Sequence, residues 1–192
     1  MSYMSDIHLC ATQGYGHWTH EAHDWPLWDS EGSLTHIDYI AAMTIAYVEC
    51  ALWATDDTEG RPMKDLPLPI TESEWEAVAL SCAHFYTHNA ADLLGHDPWA
   101  NDPGQAGHDF YLTRNNHGAG FWDRNRTGTP GGNAGARLTQ ASITYGEVWP
   151  LVADDGTITG LSYPVTYATP AEYFAARKQR IDKQPTTNTT RS

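Results

Sequence analysis

The densest run of chemically capable side chains in this sequence is Gly107-His-Asp-Phe-Tyr-Leu-Thr-Arg-Asn-Asn-His-Gly-Ala-Gly-Phe-Trp-Asp-Arg124. Arg114 carries a planar fork of donors that matches a carboxylate or a phosphate. Asn115 offers both a donor and an acceptor, and the His117 imidazole can donate or accept a hydrogen bond or a proton. Gly118 and Gly120 remove side chains where a ligand or another backbone approaches. Aromatic and β-favouring residues bounded by turn formers predict a strand over 108–114. It would pair across Asn115-Asn116-His117 with 118–123 as an antiparallel hairpin. Strand alternation puts His108, Phe110, Leu112 and Arg114 on one face and Asp109, Tyr111 and Thr113 on the other. Polar and apolar types are mixed on both, which a purely structural hairpin avoids. The expected ligand-binding residues are therefore His108, Asp109, Thr113, Arg114, Asn115, His117, Trp122 and Asp123, with Asp56 and Asp57 nearby. The bland alternative is turn chemistry alone, with Arg114 and Asp123 as a cross-strand ion pair of small energetic value.

Histidine supplies a second kind of chemistry. His17, His20 and His23 are spaced by two residues and followed by Asp24, which is the expected metal site if a divalent metal is a cofactor. His84 and His88 stand at i and i+4, also ligand spacing, but residue 85 is Phe, so the H-E-x-x-H signature of metalloproteases is absent. No phosphate-binding glycine loop, G-x-S-x-G elbow or Cys/His nucleophile pattern occurs.

Composition narrows the partners. Eleven Lys plus Arg against 24 Asp plus Glu give a formal charge of −13, which repels a phosphate backbone, so generic nucleic acid is not an expected partner. With 41% hydrophobic residues, 8 Trp and 10 Tyr in 192 residues, the chain has the apolar surface for one core. Cys10, Cys50 and Cys82 are odd in number and unpaired by spacing, which fits a reducing compartment. No window approaches a membrane span, and no leader pattern opens the chain, so a soluble cytoplasmic protein is expected.

The elements that must position these groups follow from periodicity and punctuation. Residues 1–33 read as an irregular His/Trp-rich arm, 34–161 as the core domain, 162–184 as a C-terminal segment with a helix, and 185–192 as a disordered tail. A capping pattern at Thr35 with Asp38 opens a helix that ends near Ala54, and Thr71 with Glu74 opens a second that stops at Gly95. The stretches 56–70 and 97–107 read as loops, and 127–135 as a Gly/Pro/Asn-rich linker. A short third helix carries Leu138, Ala141 and Tyr145 and closes at Gly146. Asp154-Asp155-Gly156 then turns a hairpin between 148–153 and 157–161. Thr169, Pro170 and Glu172 signal the last helix, whose basic residues Arg177, Lys178, Arg180 and Lys183 complement its macrodipole. The expected fold class is α+β, helices packed on a small antiparallel sheet built from hairpins.

Three segments carry a resemblance: Ala51-Leu-Trp-Ala-Thr-Asp-Asp57, the block from Gln105 to Arg124, and Tyr145-Gly-Glu-Val-Trp-Pro-Leu-Val-Ala-Asp-Asp-Gly-Thr-Ile158. They resemble a family of small, mostly uncharacterised bacteriophage proteins with an ALW-x-x-TDD element and an AGHDFWLTRNxHGAGFWDR block. The likeness spans about 36–161. Tyr111 replaces a usual Trp, and the N-terminal arm, the linker after Arg124 and the C-terminal helix are departures. The resemblance implies a phage accessory protein acting in the cytoplasm of an infected bacterium, without an activity to transfer. The expected function is binding of a small anionic ligand or a host protein through His108–Arg124. The alternatives are a metal-assisted hydrolase of a phosphate-containing substrate, using Asp57, His108, Asp109 and His117, and a structural virion component.

Overall fold

The computed structural model describes residues 36–95, 102–123 and 134–162. The expectations for the arm with His17, His20 and His23, for Arg124 and the linker to 133, and for the C-terminal helix and tail lie outside these residues. The fold is α+β. In chain order it comprises α1 (His36–Trp53), a 3-10 turn (Met63–Asp65), α2 (Glu72–Leu94), α3 (Pro103–Arg114), a second 3-10 turn (Phe121–Asp123) and α4 (Ala134–Ile143). The antiparallel strands β1 (Leu151–Val152) and β2 (Ile158–Thr159) follow. Among the described residues no helix is long and apolar enough to cross a membrane.

Helices α1 and α2 lie where their capping and periodicity predict. The Thr71 hydroxyl accepts the Glu74 amide at 3.3 Å, one half of the expected capping box. The other half is diverted. The Glu74 carboxylate accepts from the Thr159 hydroxyl at 2.7 Å and from the Leu161 amide at 3.0 Å, so a helix-start residue fastens the hairpin to α2. Ser81 and Ser162 share a further hydrogen bond of 2.7 Å, and Ile158 donates its amide to Pro69 O at 2.9 Å. The Asp154-Asp155-Gly156 turn forms as predicted, with Gly156 at φ +79° and the pairings Leu151 with Thr159 and Val152 with Ile158.

The strand and hairpin expected over 108–123 do not form. Residues 103–114 are α3, and 118–123 are a turn followed by a 3-10 turn. The start signal lay inside what reads as a loop: Asp102 is the N-cap, its carboxylate accepting from the amides of Gly104 at 2.8 Å and Gln105 at 3.2 Å, and Pro103 follows at the first helical position. The end is a Schellman closure. Asn116 adopts φ +54°, its amide donates to Thr113 O, and the His117 amide donates to Leu112 O. The residues that suggest a hairpin turn are thus a helix C-cap.

Strand propensity loses to burial here. Differences in β preference span about 1 kcal/mol per residue, whereas burying a large apolar side chain contributes about 1.5–3 kcal/mol. Helix α3 buries Ala106, Phe110 and Tyr111 together. Phe85 of α2 stacks on Phe110 with ring centroids 4.3 Å apart, and Tyr47 of α1 meets Tyr111 edge-on at 5.3 Å. Gly107 permits the contact with α1: a Cβ there would lie 2.2 Å from Met43 O and 2.8 Å from Tyr47 N. The two helices cross with backbones nearly touching.

Candidate functional site

As a helix, the motif block has an inward and an outward side. Arg114 lies inward and is 1% exposed. Its Nε donates to Gly146 O at 2.8 Å, one terminal nitrogen donates to the Tyr47 hydroxyl at 2.8 Å, and the other donates to Tyr145 O at 2.7 Å. The rings of Phe110, Tyr47 and Tyr145 surround the guanidinium at 5.6–5.9 Å from their centroids, within cation–π range. Tyr47 passes the connection on, donating to Leu161 O at 3.0 Å. Burial raises the Tyr47 pKa against the opposing pull of Arg114, so the hydroxyl stays protonated as that donor. One arginine therefore joins α1, α3, the turn after α4 and the end of the hairpin.

The neighbouring candidates are bonded within the fold as well. Asn115 donates its side-chain amide to Tyr111 O at 2.9 Å and accepts the Val148 amide at 2.7 Å. The Thr113 hydroxyl accepts the Phe121 amide at 3.0 Å. Asp109 is buried and accepts from the Gln105 side chain at 2.8 Å. The His117 ring stacks on Tyr111 at 5.8 Å, and Tyr111 shares a 3.2 Å hydrogen bond with Thr55, which brings the loop after α1 beside this end of α3. Trp122 and Asp123 are exposed on the second 3-10 turn. The Arg114–Asp123 ion pair of the bland alternative is not formed: Arg114 is buried and donates to two carbonyls and the Tyr47 hydroxyl.

Asp56 is exposed, its backbone bridged to Pro62. Asp57 organises its own loop, accepting from the amides of Glu59 at 2.9 Å and Arg61 at 2.8 Å and from the Arg61 guanidinium at 2.8 Å. These bonds, the Arg61 amide first, hold its pKa below the usual aspartate value. A lowered folded-state pKa makes the loop's contribution complete above the unfolded value of about 3.9 and lost as pH falls through the folded one. Urea unfolding of Asp57→Asn should therefore show a constant deficit against the parent between about pH 5 and 7 that closes below about pH 4. A deficit unchanged at pH 2 would assign the loop's stability to shape and not to charge.

The outward side of α3 forms one wall of a groove of about 530 Å³ against α1. Its lining is Glu49, Cys50, Leu52 and Trp53 of α1, Lys64 of the first 3-10 turn, and His108 and Leu112 of α3. Glu49 with Trp53, and His108 with Leu112, are i, i+4 pairs, so each helix presents one face to the cleft. Trp53 is 65% exposed, a large indole surface at the rim. Lys64 sits at the mouth with Asp65 2.8 Å from its ammonium. Glu49 is an exposed residue, and partial desolvation of its carboxyl against the groove shifts its pKa upward from the ordinary value. Burial pushes the Cys50 thiol up to about 12, with Asp109 adding to the effect, so Cys50 is a wall residue and no thiolate nucleophile.

Of the candidates from sequence, His108 alone lines this groove, and Glu49, Trp53, Lys64 and Leu112 were missed. The signal for them was available: Trp53 follows the buried stripe of α1 at a position facing away from it, but with 108–114 read as strand no facing wall existed. Asp57, His108, Asp109 and His117 are not gathered into one centre, and among the described residues no three His, Cys, Asp or Glu side chains stand together as a metal site. Comparison with family models, curated proteins and solved structures found no match to the chain.

Proposed function

We propose that this chain is a ligand-binding accessory protein of a bacteriophage, acting in the host cytoplasm, and that its ligand occupies the α1–α3 groove. The phage setting rests on the resemblance of the three motif segments. The observation that carries the binding site is the groove itself, whose volume of about 530 Å³ lies in the range of small-molecule sites. Its chemistry favours a planar apolar body beside the Trp53 indole, Leu52 and Leu112, with one anionic group directed at Lys64 and His108. An ammonium has three donors, and Asp65 takes one of them.

The probe with this chemistry is 8-anilinonaphthalene-1-sulfonate, an aromatic body bearing one sulfonate. Titrated into the folded chain, it should show a single saturable site. Trp53→Ala and Lys64→Glu should each weaken it by at least about tenfold, about 1.4 kcal/mol, while thermal melts stay close to the parent because both residues are exposed. Equal affinity in parent and variants would remove the groove as the site.

A further inference from the structure

We propose that His84 and His88 of α2 form a chelating site for a divalent transition cation of the imidazole-preferring class, copper, nickel or zinc, separate from the groove. The two residues stand one helical turn apart with ring centroids 4.2 Å from each other and planes inclined by 35°. In both rings the Nδ1 atom already has a hydrogen-bond partner within the fold. His88 Nδ1 lies 2.8 Å from the carbonyl oxygen of His84. A carbonyl only accepts, so Nδ1 carries the proton, and in the neutral ring the lone pair is on Nε2. His84 Nδ1 lies 2.6 Å from the Tyr145 hydroxyl. When Nδ1 donates to that oxygen, His84 presents its Nε2 lone pair as well.

Ligating imidazoles usually have the other ring nitrogen bonded to a carbonyl, carboxylate or water, which sets the tautomer and the ring orientation. Here the outer partners are a backbone carbonyl and a tyrosine that is itself fixed. The Tyr145 ring packs edge-on against Phe110 at 5.0 Å and Phe85 at 5.7 Å, and its carbonyl accepts from Arg114. Two nitrogens bound to one cation at about 2.0–2.1 Å lie roughly 3 Å apart, so the tilted rings, 4.2 Å apart at their centroids, turn about their side-chain bonds to bring the two Nε2 atoms onto the ion. Water fills the remaining positions, so the ion is exchangeable, and copper binds tightest of the three.

The test uses the full chain carrying His17→Ala, His20→Ala and His23→Ala, so that the arm's imidazoles do not contribute. Calorimetric titration with Cu²⁺ alone should show one equivalent bound, and the same ion should raise the melting temperature, since a ligand of the folded state stabilises it. Adding His84→Ala or His88→Ala should each weaken binding at least tenfold and abolish the melting shift, with the circular dichroism spectrum unchanged. The proposal is overturned if the chain with His84 and His88 intact binds no Cu²⁺. It is equally overturned if binding and the melting shift persist when both are replaced.

Discussion

Arg114→Ala should lower the stability of the folded chain by about 3–5 kcal/mol, the range seen when one partner of a buried charged contact is deleted. Three acceptors, the carbonyls of Tyr145 and Gly146 and the Tyr47 hydroxyl, lose their donor in one step. Each buried polar group left unpaired costs about 1–3 kcal/mol, and the truncated side chain also leaves a void among three rings. Typical domain stability is about 5–15 kcal/mol, so the variant loses a large share of it. Arg114→Lys keeps the charge but not the planar fork, and should recover only a small part of the loss. Urea unfolding of the three proteins measures this directly. An Arg114→Ala midpoint within about 1 kcal/mol of the parent would show that the arginine is no strut.

Gly107→Ala should be destabilising even though alanine is the better helix former. Propensity favours the variant by about 1 kcal/mol. Against this, the new Cβ would lie 2.2 Å from Met43 O, 2.8 Å from Tyr47 N and 3.0 Å from Ala46 Cβ. Two of these three atoms belong to backbone and cannot rotate away, so α1 and α3 must separate along their length. Overpacking of this kind costs about 1–3 kcal/mol; with rigid backbone atoms in the way the upper end applies, and after the propensity gain the net expected loss is about 2 kcal/mol. Since the groove lies between the same two helices, probe binding should change along with the urea midpoint. A stabilised Gly107→Ala protein would mean that the helices do not cross there.

The two predictions also show why α3 was the element hardest to read. Helices α1 and α2 announce themselves through caps and a recurrent apolar stripe, and α4 through its closing Gly146 at φ +70°. In α3 the buried residues Ala106, Gly107, Asp109, Phe110, Tyr111, Thr113 and Arg114 leave only a narrow, half-buried outward stripe through Gly104, His108 and Leu112, so the helical periodicity is hard to see in the sequence. Phe110, Tyr111 and Thr113 then favour strand locally, while Gly104 and Gly107 look like breakers. Gly107 is needed for contact with a helix about 60 residues earlier, a reason no local pattern contains.

The same tertiary fact reassigns the motif block. Arginine is rarely buried without a carboxylate, and Arg114 is accommodated only because the turn at Tyr145-Gly146 and the Tyr47 hydroxyl converge on it. Asn115, Asn116 and His117 were visible as turn formers, and they do reverse the chain, but at a helix end. His108 was legible as a candidate from its type alone, whereas its neighbours in the groove come from α1 and the first 3-10 turn. Cys50 and Cys82, unpaired by their spacing in the sequence, are free, buried thiols on helices, each pushed up to about 12 by desolvation.

The motif block builds the fold with its inward side, and the proposed ligand site lies on its outward one. The most direct measurement is a backbone amide and indole NMR titration of the parent chain with 8-anilinonaphthalene-1-sulfonate. The resonances of Glu49, Cys50, Trp53, Lys64, His108 and Leu112 should move together with a single saturation curve, while those of Arg114, Asn115 and Tyr145 stay in place. Movement confined to residues away from the groove, with those six unmoved at saturation, would contradict it.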